Sequence, residues 1–188
     1  MKEPFIAPIL RQIRIKKVLP VIQKTKNCNV LDIGCGWNAK FLSAIEPYID
    51  KGVGIDFKAP NIQTEKIKTI QATLMDKLPF ENSSFNVVTM MAVLEHLQNP
   101  LIIIKEIDRV LGWGGQLVIT VPSKISKPVS EFLAFKMHII NEIEIKDHKH
   151  YYNKKDLYDL FKHTNLKIIK HHYYQLGLNN FCLLKKEV

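Results

Sequence analysis

The chain has 188 residues, 46% hydrophobic and 24% charged, the balance of one folded domain with a core of its own. Its net charge is +9, and its three cysteines, Cys28, Cys35 and Cys182, have neither the number of a disulfide framework nor the spacing of a zinc site. Disordered, collagen-like and disulfide-scaffold chains are excluded. No apolar run reaches the roughly 18 residues of a membrane span. The start, Met1 to Phe5, lacks a signal-peptide layout, so the expected setting is the cytoplasm, with free thiols.

The charge is uneven. Residues 1–30 hold seven basic residues and one acid, residues 31–123 eight and ten, and residues 124–188 twelve and seven. A near-neutral centre therefore sits between basic flanks, which suit phosphates, nucleic acid or an anionic surface. Only Arg11, Arg14 and Arg109 are arginines, and lysine richness is weak evidence for sequence-reading contacts to bases.

In chain order, Phe5, Ile6, Ile9, Leu10 and Ile13 fall on one face of a helix over 5–18, with Pro20 near its end. Residues 29–33 read as a short buried strand, Gly34-Cys35-Gly36 as a turn and 38–46 as a helix. Residues 52–56 are a second strand ending in an acid, 61–65 are compatible with a short helix, and 67–71 are a third strand. A fourth strand covers 85–91, a helix 99–111 and a fifth strand 116–121. A looser helical stretch follows at 129–143, then a helix at 153–164 and strands at 166–174 and 179–185. Alternating strands and helices argue for an α/β chain with a mostly parallel sheet covered on both faces.

The segment Val30-Leu31-Asp32-Ile33-Gly34-Cys35-Gly36-Trp37-Asn38-Ala39 runs a strand through a glycine turn into a helix. Glycines let a ligand lie against bare backbone, and ligands of open α/β sheets bind at the carboxyl ends of the strands. Asp56 ends the next strand, where a carboxylate can accept hydrogen bonds from both ribose hydroxyls. Gly34-x-Gly36-x-x-Ala39 also fits a dinucleotide fingerprint. Against that, Asp32 beside the pocket would repel a pyrophosphate and suit a cationic ammonium or sulfonium group. An adenosine with a positively charged amino-acid tail, as in S-adenosylmethionine, fits better.

These residues resemble the class I S-adenosylmethionine-dependent methyltransferases, of the small type that includes the ubiquinone-biosynthesis methyltransferases. Val30 to Gly36 resembles the first motif of that family and Gly54-Ile55-Asp56 the second. Leu78-Pro79-Phe80 with Ser84 to Val88 resembles the third block, followed by Val93-Leu94-Glu95-His96-Leu97. Arg109 to Gly115 resembles the last core motif. The resemblance implies a Rossmann-like, doubly wound, mostly parallel seven-stranded sheet with an antiparallel C-terminal strand. It implies one domain: an N-terminal lid helix (1–20), a cofactor-binding core (28–122), a variable acceptor-side region (123–150) and a C-terminal helix with strands (151–188).

By the same resemblance, S-adenosylmethionine is the cofactor. Asp32 would meet its amino group, and Gly34, Cys35 and Gly36 would line its methionine portion. Asp56 would hold the ribose, Phe57 would pack on the adenine, Thr73 and Leu74 would lie beside the adenine amino group, and Ala92 and Val93 would flank the sulfonium. Three positions depart from the family pattern: Asn38 replaces a glycine, Thr73 an acid and Asn86 an aspartate. Asn38 tolerates a left-handed backbone, so the turn can persist.

Methyl transfer from a sulfonium is a direct displacement that mainly requires alignment. A base matters only if the acceptor must lose a proton, and Glu95 and His96 are the nearest candidates. His148 and Tyr151, in Asp147-His148-Lys149-His150-Tyr151-Tyr152, are candidates for shaping the acceptor site. The spacing His148-x-His150 lacks a further placed ligand, so no metal is expected.

The acceptor has no readable motif. Met90-Met91-Ala92-Val93 is not the Asn/Asp-Pro-Pro-aromatic signature of amino-methylating nucleic-acid enzymes. The expectation is methyl transfer to a small metabolite or a glycan or lipid precursor, with phosphate or carboxylate on the acceptor compatible with the basic flanks. Alternatives are an RNA or protein methyltransferase using those flanks, and a non-catalytic cofactor-binding scaffold. Peripheral membrane contact by the basic N-terminal helix and a homodimer are also compatible with the sequence.

Overall fold

The computed structural model describes residues 7–74, 77–138, 140 and 142–187. The strands are β1 (Asn29–Ile33), β2 (Lys51–Asp56), β3 (Ile67–Gln71), β4 (Phe85–Met91), β5 (Leu111–Pro122), β6 (Leu166–Tyr174) and β7 (Asn179–Lys186). The helices are α1 (Ala7–Lys24), α2 (Lys40–Ile45), α3 (Pro100–Val110), α4 (Ser126–Phe135), α5 (Glu142–Lys146) and α6 (Lys154–Phe161). The strands form one sheet in the order β3-β2-β1-β4-β5-β7-β6. The first five pair in parallel, and β7 runs antiparallel to both β5 and β6. This is the expected doubly wound sheet. Strand order reverses at β1, so the loops after β1 and β4 open beside each other, where such sheets bind ligands.

Alternation along the strands divides the core. Leu31, Ile33, Val88, Met90, Leu117 and Ile119 face α3 and α6, while Val30, Val87 and Val118 face α1 and α2. Helix α3 forms because Ile103, Ile104, Ile107 and Val110 recur at helical spacing and are buried, with Pro100 in its first turn. Helix α6 starts in a capping box: Asp156 N donates to the Asn153 side chain, and Asn153 N donates to the Asp156 carboxylate.

Several local expectations need correction. Pro20 lies inside α1, which continues to Lys24. Burial of Ile15, Val18, Val21 and Ile22 against the sheet and α2 outweighs the lost backbone bond. The expected apolar face belongs elsewhere: Ile9 is exposed, Leu10 and Ile13 are half-buried, and Phe5 and Ile6 lie outside the described residues. Residues 61–65 are not helical. Gln63 bridges Lys68, and Thr69 accepts a bond from Ile62 N, so this segment is tied to β3. The stretch 129–143 divides into α4 and α5. Strand β5 starts five residues earlier than expected, with a register shift between Phe85 and Val87 that accommodates Gly112 to Gly115. Among the described residues no helix is long and apolar enough to cross a membrane.

One clamp positions the third block. The Arg109 guanidinium makes a two-pronged pair with Glu106 at 2.8 and 2.7 Å. It also donates to the carbonyls of Phe80 and Leu78, while Leu78 N donates to Glu106. This network fixes the chain before β4 onto α3. Replacing Arg109 with alanine strands two carbonyls and a carboxylate that are only partly exposed. Arg109→Ala should lose about 2 kcal/mol of stability, discounted for partial solvent access, as a lower midpoint in urea unfolding. An unchanged midpoint would show that the clamp contributes nothing.

Candidate active site

The β1 turn is built by backbone geometry. Gly34 and Gly36 have φ of 79° and 73°, left-handed values that favour glycine. The N–H groups of Gly34 and Cys35 donate to Ile55 O on β2. A Cβ on Gly34 would sit 2.1 Å from Val93 Cγ2, whereas one on Gly36 would meet nothing within 4 Å. The turn therefore rests directly on the loop after β4 and opens to space at Gly36. The left-handed residue at the start of α2 is Ala39, with φ of 44°, not Asn38.

Asp56 closes the turn. Its Oδ2 accepts from Gly36 N at 3.0 Å and its Oδ1 from Lys58 N at 2.8 Å. A carboxylate has about four acceptor sites, so capacity remains on both oxygens. Phe57 stands exposed beside it, with the Lys58 ammonium 4.8 Å from its ring centre. Ala92 has φ of 57°, and its N–H donates to Thr120 O, which turns the chain out of β4 so that Val93 faces Gly34.

Asp32 is 1% exposed and accepts from Thr89 Oγ1 on β4 at 2.7 Å. Burial pushes its carboxyl up to about 7; the Thr89 bond opposes the shift and the Asp56 charge adds to it. Burial and the Asp32 and Asp56 charges also raise the Cys35 thiol to about 12, so it stays protonated and unreactive. The three cysteines are free and buried.

The other end of the site is assembled from distant sequence. Glu95 and His96 form a single turn after β4. The N–H groups of Lys149 and His150 donate to Glu95 O, which fastens the segment after α5 to that turn. His96 Nδ1 then lies 2.9 Å from Asp147 Oδ2, and the His96 and His148 rings meet edge to face at 4.9 Å. His148 Nδ1 is 3.1 Å from the Tyr151 hydroxyl. Burial lowers His148 to about 4 and raises Glu95 to about 7. Among the described residues, Glu95 Oε2 is buried without a hydrogen-bond partner. Thr73, Leu74, His96, Leu97, Ile103 and Lys149 line a cavity of about 350 Å³, which joins the end of β3 to this cluster. Sequence reasoning misses Asp147 and its bond to His96, since no local spacing signals a pairing across 51 residues. Asn86 serves the fold: its side-chain oxygen accepts from Asn29 N and anchors the start of β1.

A family model described as a methyltransferase domain matches residues 9–171. The chain is 29% identical over 152 residues to the demethylmenaquinone methyltransferase of Staphylococcus aureus, covering 72% of this chain and 62% of that protein. The chain thus spans about 62% of the length of the curated relatives it matches. Among solved structures, an S-adenosylmethionine-dependent methyltransferase from Aquifex aeolicus superposes with a TM-score of 0.68 at 15% identity, over 96% of this chain and 93% of that one. One from Methanosarcina mazei gives 0.63 at 20% identity, over 90% and 97%. At these identities the likeness is one of fold.

The raised Asp32 carboxyl has a measurable consequence for stability. The unfolded group titrates near 3.8 and the folded one near 7. Between these values the folded chain holds a proton that the unfolded chain has released. The Asp32 contribution to stability therefore falls as pH rises through the window and levels off above it, while His148, lowered from 6.5 to about 4, contributes with the opposite sign. Glu95 contributes with the same sign as Asp32. Asp32→Asn removes the Asp32 contribution alone, so the stability of the variant relative to the wild type should rise between about pH 4 and 7, by urea midpoints in ligand-free protein. Identical slopes would mean that Asp32 ionises as freely in the folded chain as in the unfolded one.

Proposed function

The chain belongs to the methyltransferase-domain family, and from that premise we propose that it transfers the methyl group of S-adenosylmethionine to a small acceptor by direct displacement. The observation that carries the reading is the open space above Gly36, bounded by the Asp56 carboxylate and by the Gly34–Val93 contact. The residues present fit the cofactor: bare backbone on one side, a carboxylate with spare acceptor capacity on another, and a buried acid with no cation of its own. Bound there, the cofactor supplies an activated methyl group on a cationic sulfur.

In this reading Asp56 holds the ribose hydroxyls and Phe57 covers the adenine, with Thr73 and Leu74 at its edge. Gly34, Cys35 and Gly36 line the methionine portion. Asp32 meets the ammonium group, whose charge favours the ionised carboxylate that burial disfavours. Ala92 and Val93 flank the sulfur. At the acceptor end, Glu95 and His96 deal with the proton the acceptor releases, with Asp147 holding the imidazole in one orientation. His148 and Tyr151 shape the acceptor pocket.

The acceptor is best matched by a small apolar or lipid-linked molecule bearing an ionisable hydroxyl. Ile125, Val129, Phe132, Met137 and Ile143 are exposed on and beside α4 and α5, among Lys124, Lys127, Lys136 and Lys146. With the exposed start of α1, this 123–150 region serves as the cover. The activity named for the Staphylococcus aureus relative, on a demethylmenaquinone, supports a quinol-like acceptor.

Asp56→Ala should weaken S-adenosylhomocysteine binding at least about 10-fold, the loss of one good charge-assisted hydrogen bond, in a chain that still folds but with a lower unfolding midpoint, since the Gly36 and Lys58 bonds go too. Calorimetric titration checks this; wild-type affinity would move the ribose site elsewhere. Gly34 is a poorer probe, because any side chain there collides with Val93. Incubation with labelled S-adenosylmethionine and a panel of quinols, phenols and RNA should label a hydroxylated small molecule. Labelling of RNA alone, weakened by salt, would favour the nucleic-acid reading. His96→Ala should lower kcat about 10²-fold with cofactor affinity unchanged, and an unchanged kcat would leave His96 as packing.

A further inference from the structure

Three groups at the acceptor end have donor atoms within 4.8 Å of one another: the Glu95 carboxylate, His96 and His148. They come from the turn after β4 and from the segment after α5. The sequence spacing His148-x-His150 lacks a third ligand; the fold supplies Glu95 and His96 instead, and His150 is not part of the group. We propose that Glu95, His96 and His148 form a binding site for a divalent first-row cation of the zinc type. The inference deepens the methyltransferase reading by assigning a cation to its acceptor end.

Four features carry it. Two imidazoles and one carboxylate are the donor set of open zinc sites, in which further positions are left to water or substrate. His96 donates from Nδ1 to the Asp147 carboxylate at 2.9 Å, which leaves the Nε2 lone pair for a metal. This is the usual carboxylate–histidine–metal relay. His148 has its Nδ1 3.1 Å from the Tyr151 hydroxyl, which fixes that ring in the same way. Finally, Glu95 Oε2 is an unpartnered oxygen on a residue only 1% exposed. A buried carboxylate oxygen without a partner is costly. The charges of His96 and Arg14 lower that cost, but among the described residues no hydrogen bond satisfies the oxygen.

Donor atoms in a tetrahedral zinc site are about 3.4 Å apart, given metal–ligand distances near 2.1 Å. The free arrangement is wider by up to about 1.4 Å, a gap that small side-chain rotations close. With the cation bound, Glu95 and His96 act on the acceptor's proton as ligands of the cation and no longer as bases: an acceptor hydroxyl coordinated at an open position would release its proton to water near neutral pH. Its oxygen lone pair, or the ring carbon it activates, then forms the bond to methyl. The sulfur–methyl bond breaks with its electron pair left on sulfur as a neutral thioether.

The test is titration of the full chain with Zn²⁺ against a competing chelator, paired with the visible spectrum of the Co²⁺ form. One equivalent should bind, with a tetrahedral or five-coordinate cobalt spectrum. Glu95→Gln and His148→Ala should each weaken binding at least 10-fold, and Asp147→Asn should weaken it roughly 10- to 100-fold as a partner behind a ligand. His163→Ala, at an exposed histidine just after α6, should match the wild type. The proposal is overturned if no one-equivalent binding is seen. It is equally overturned if Glu95→Gln and His148→Ala, folded and binding S-adenosylhomocysteine, hold Zn²⁺ as tightly as the wild type. Binding of S-adenosylhomocysteine to metal-free wild type is measured on the same samples. Its loss sinks the methyltransferase reading, and its presence without a Zn²⁺ site sinks only the cation.

Discussion

The contact between Gly34 and Val93 is the constraint on which the rest of the site depends. A missing Cβ lets the turn after β1 press against the loop after β4, at a separation no other residue allows. Parallel pairing of β1 with β2 and with β4 delivers three strand ends to the same edge of the sheet. Backbone bonds from the turn to Ile55, and the bond from Gly36 N to the Asp56 carboxylate, then lock β2 to β1. The surface of the turn is mostly main chain, so its shape is set by strand register and φ angles. Side-chain packing sets it only where Val93 closes one wall.

Two buried acids lie along this edge, and both are poorly placed for stability. Asp32 has one hydroxyl for company, and Glu95 has an oxygen with none. An interior chosen for stability alone would replace them with apolar side chains of similar size. In the proposed function an ammonium group would meet Asp32, and in the proposed cation site a metal ion would meet Glu95; each would relieve a desolvated carboxyl.

The acceptor end depends on tethers. Tyr152 N donates to Pro122 O, and Asn180 Nδ2 donates to Tyr152 O, so the segment from 123 to 152 is tied back to the sheet where it ends. Glu95 O receives Lys149 and His150 just before that point. Between the tethers α4 and α5 are free to carry exposed apolar residues.

What the sequence determined by itself is whatever local physics controls. Short, largely apolar runs placed β1 and β4 with their observed bounds, because buried strands need near-continuous apolar residues, and alternation of Ile67, Thr69 and Gln71 with Lys68 and Ile70 placed β3. Glycine at 34 and 36 marked the turn, because positive φ is cheap only there, and the acid ending β2 marked its partner. Tertiary structure decided the rest. It carried α1 through Pro20, because packing of Val18 and Ile22 outweighs one backbone bond. It moved the left-handed residue to Ala39 and turned Asn86 into an anchor for β1. It consumed Arg109 in a clamp and brought Asp147 and His148 onto Glu95 and His96. Those pairings join residues some 50 positions apart. No periodicity or spacing encodes them, because they exist only once the sheet has set the distance between the two segments.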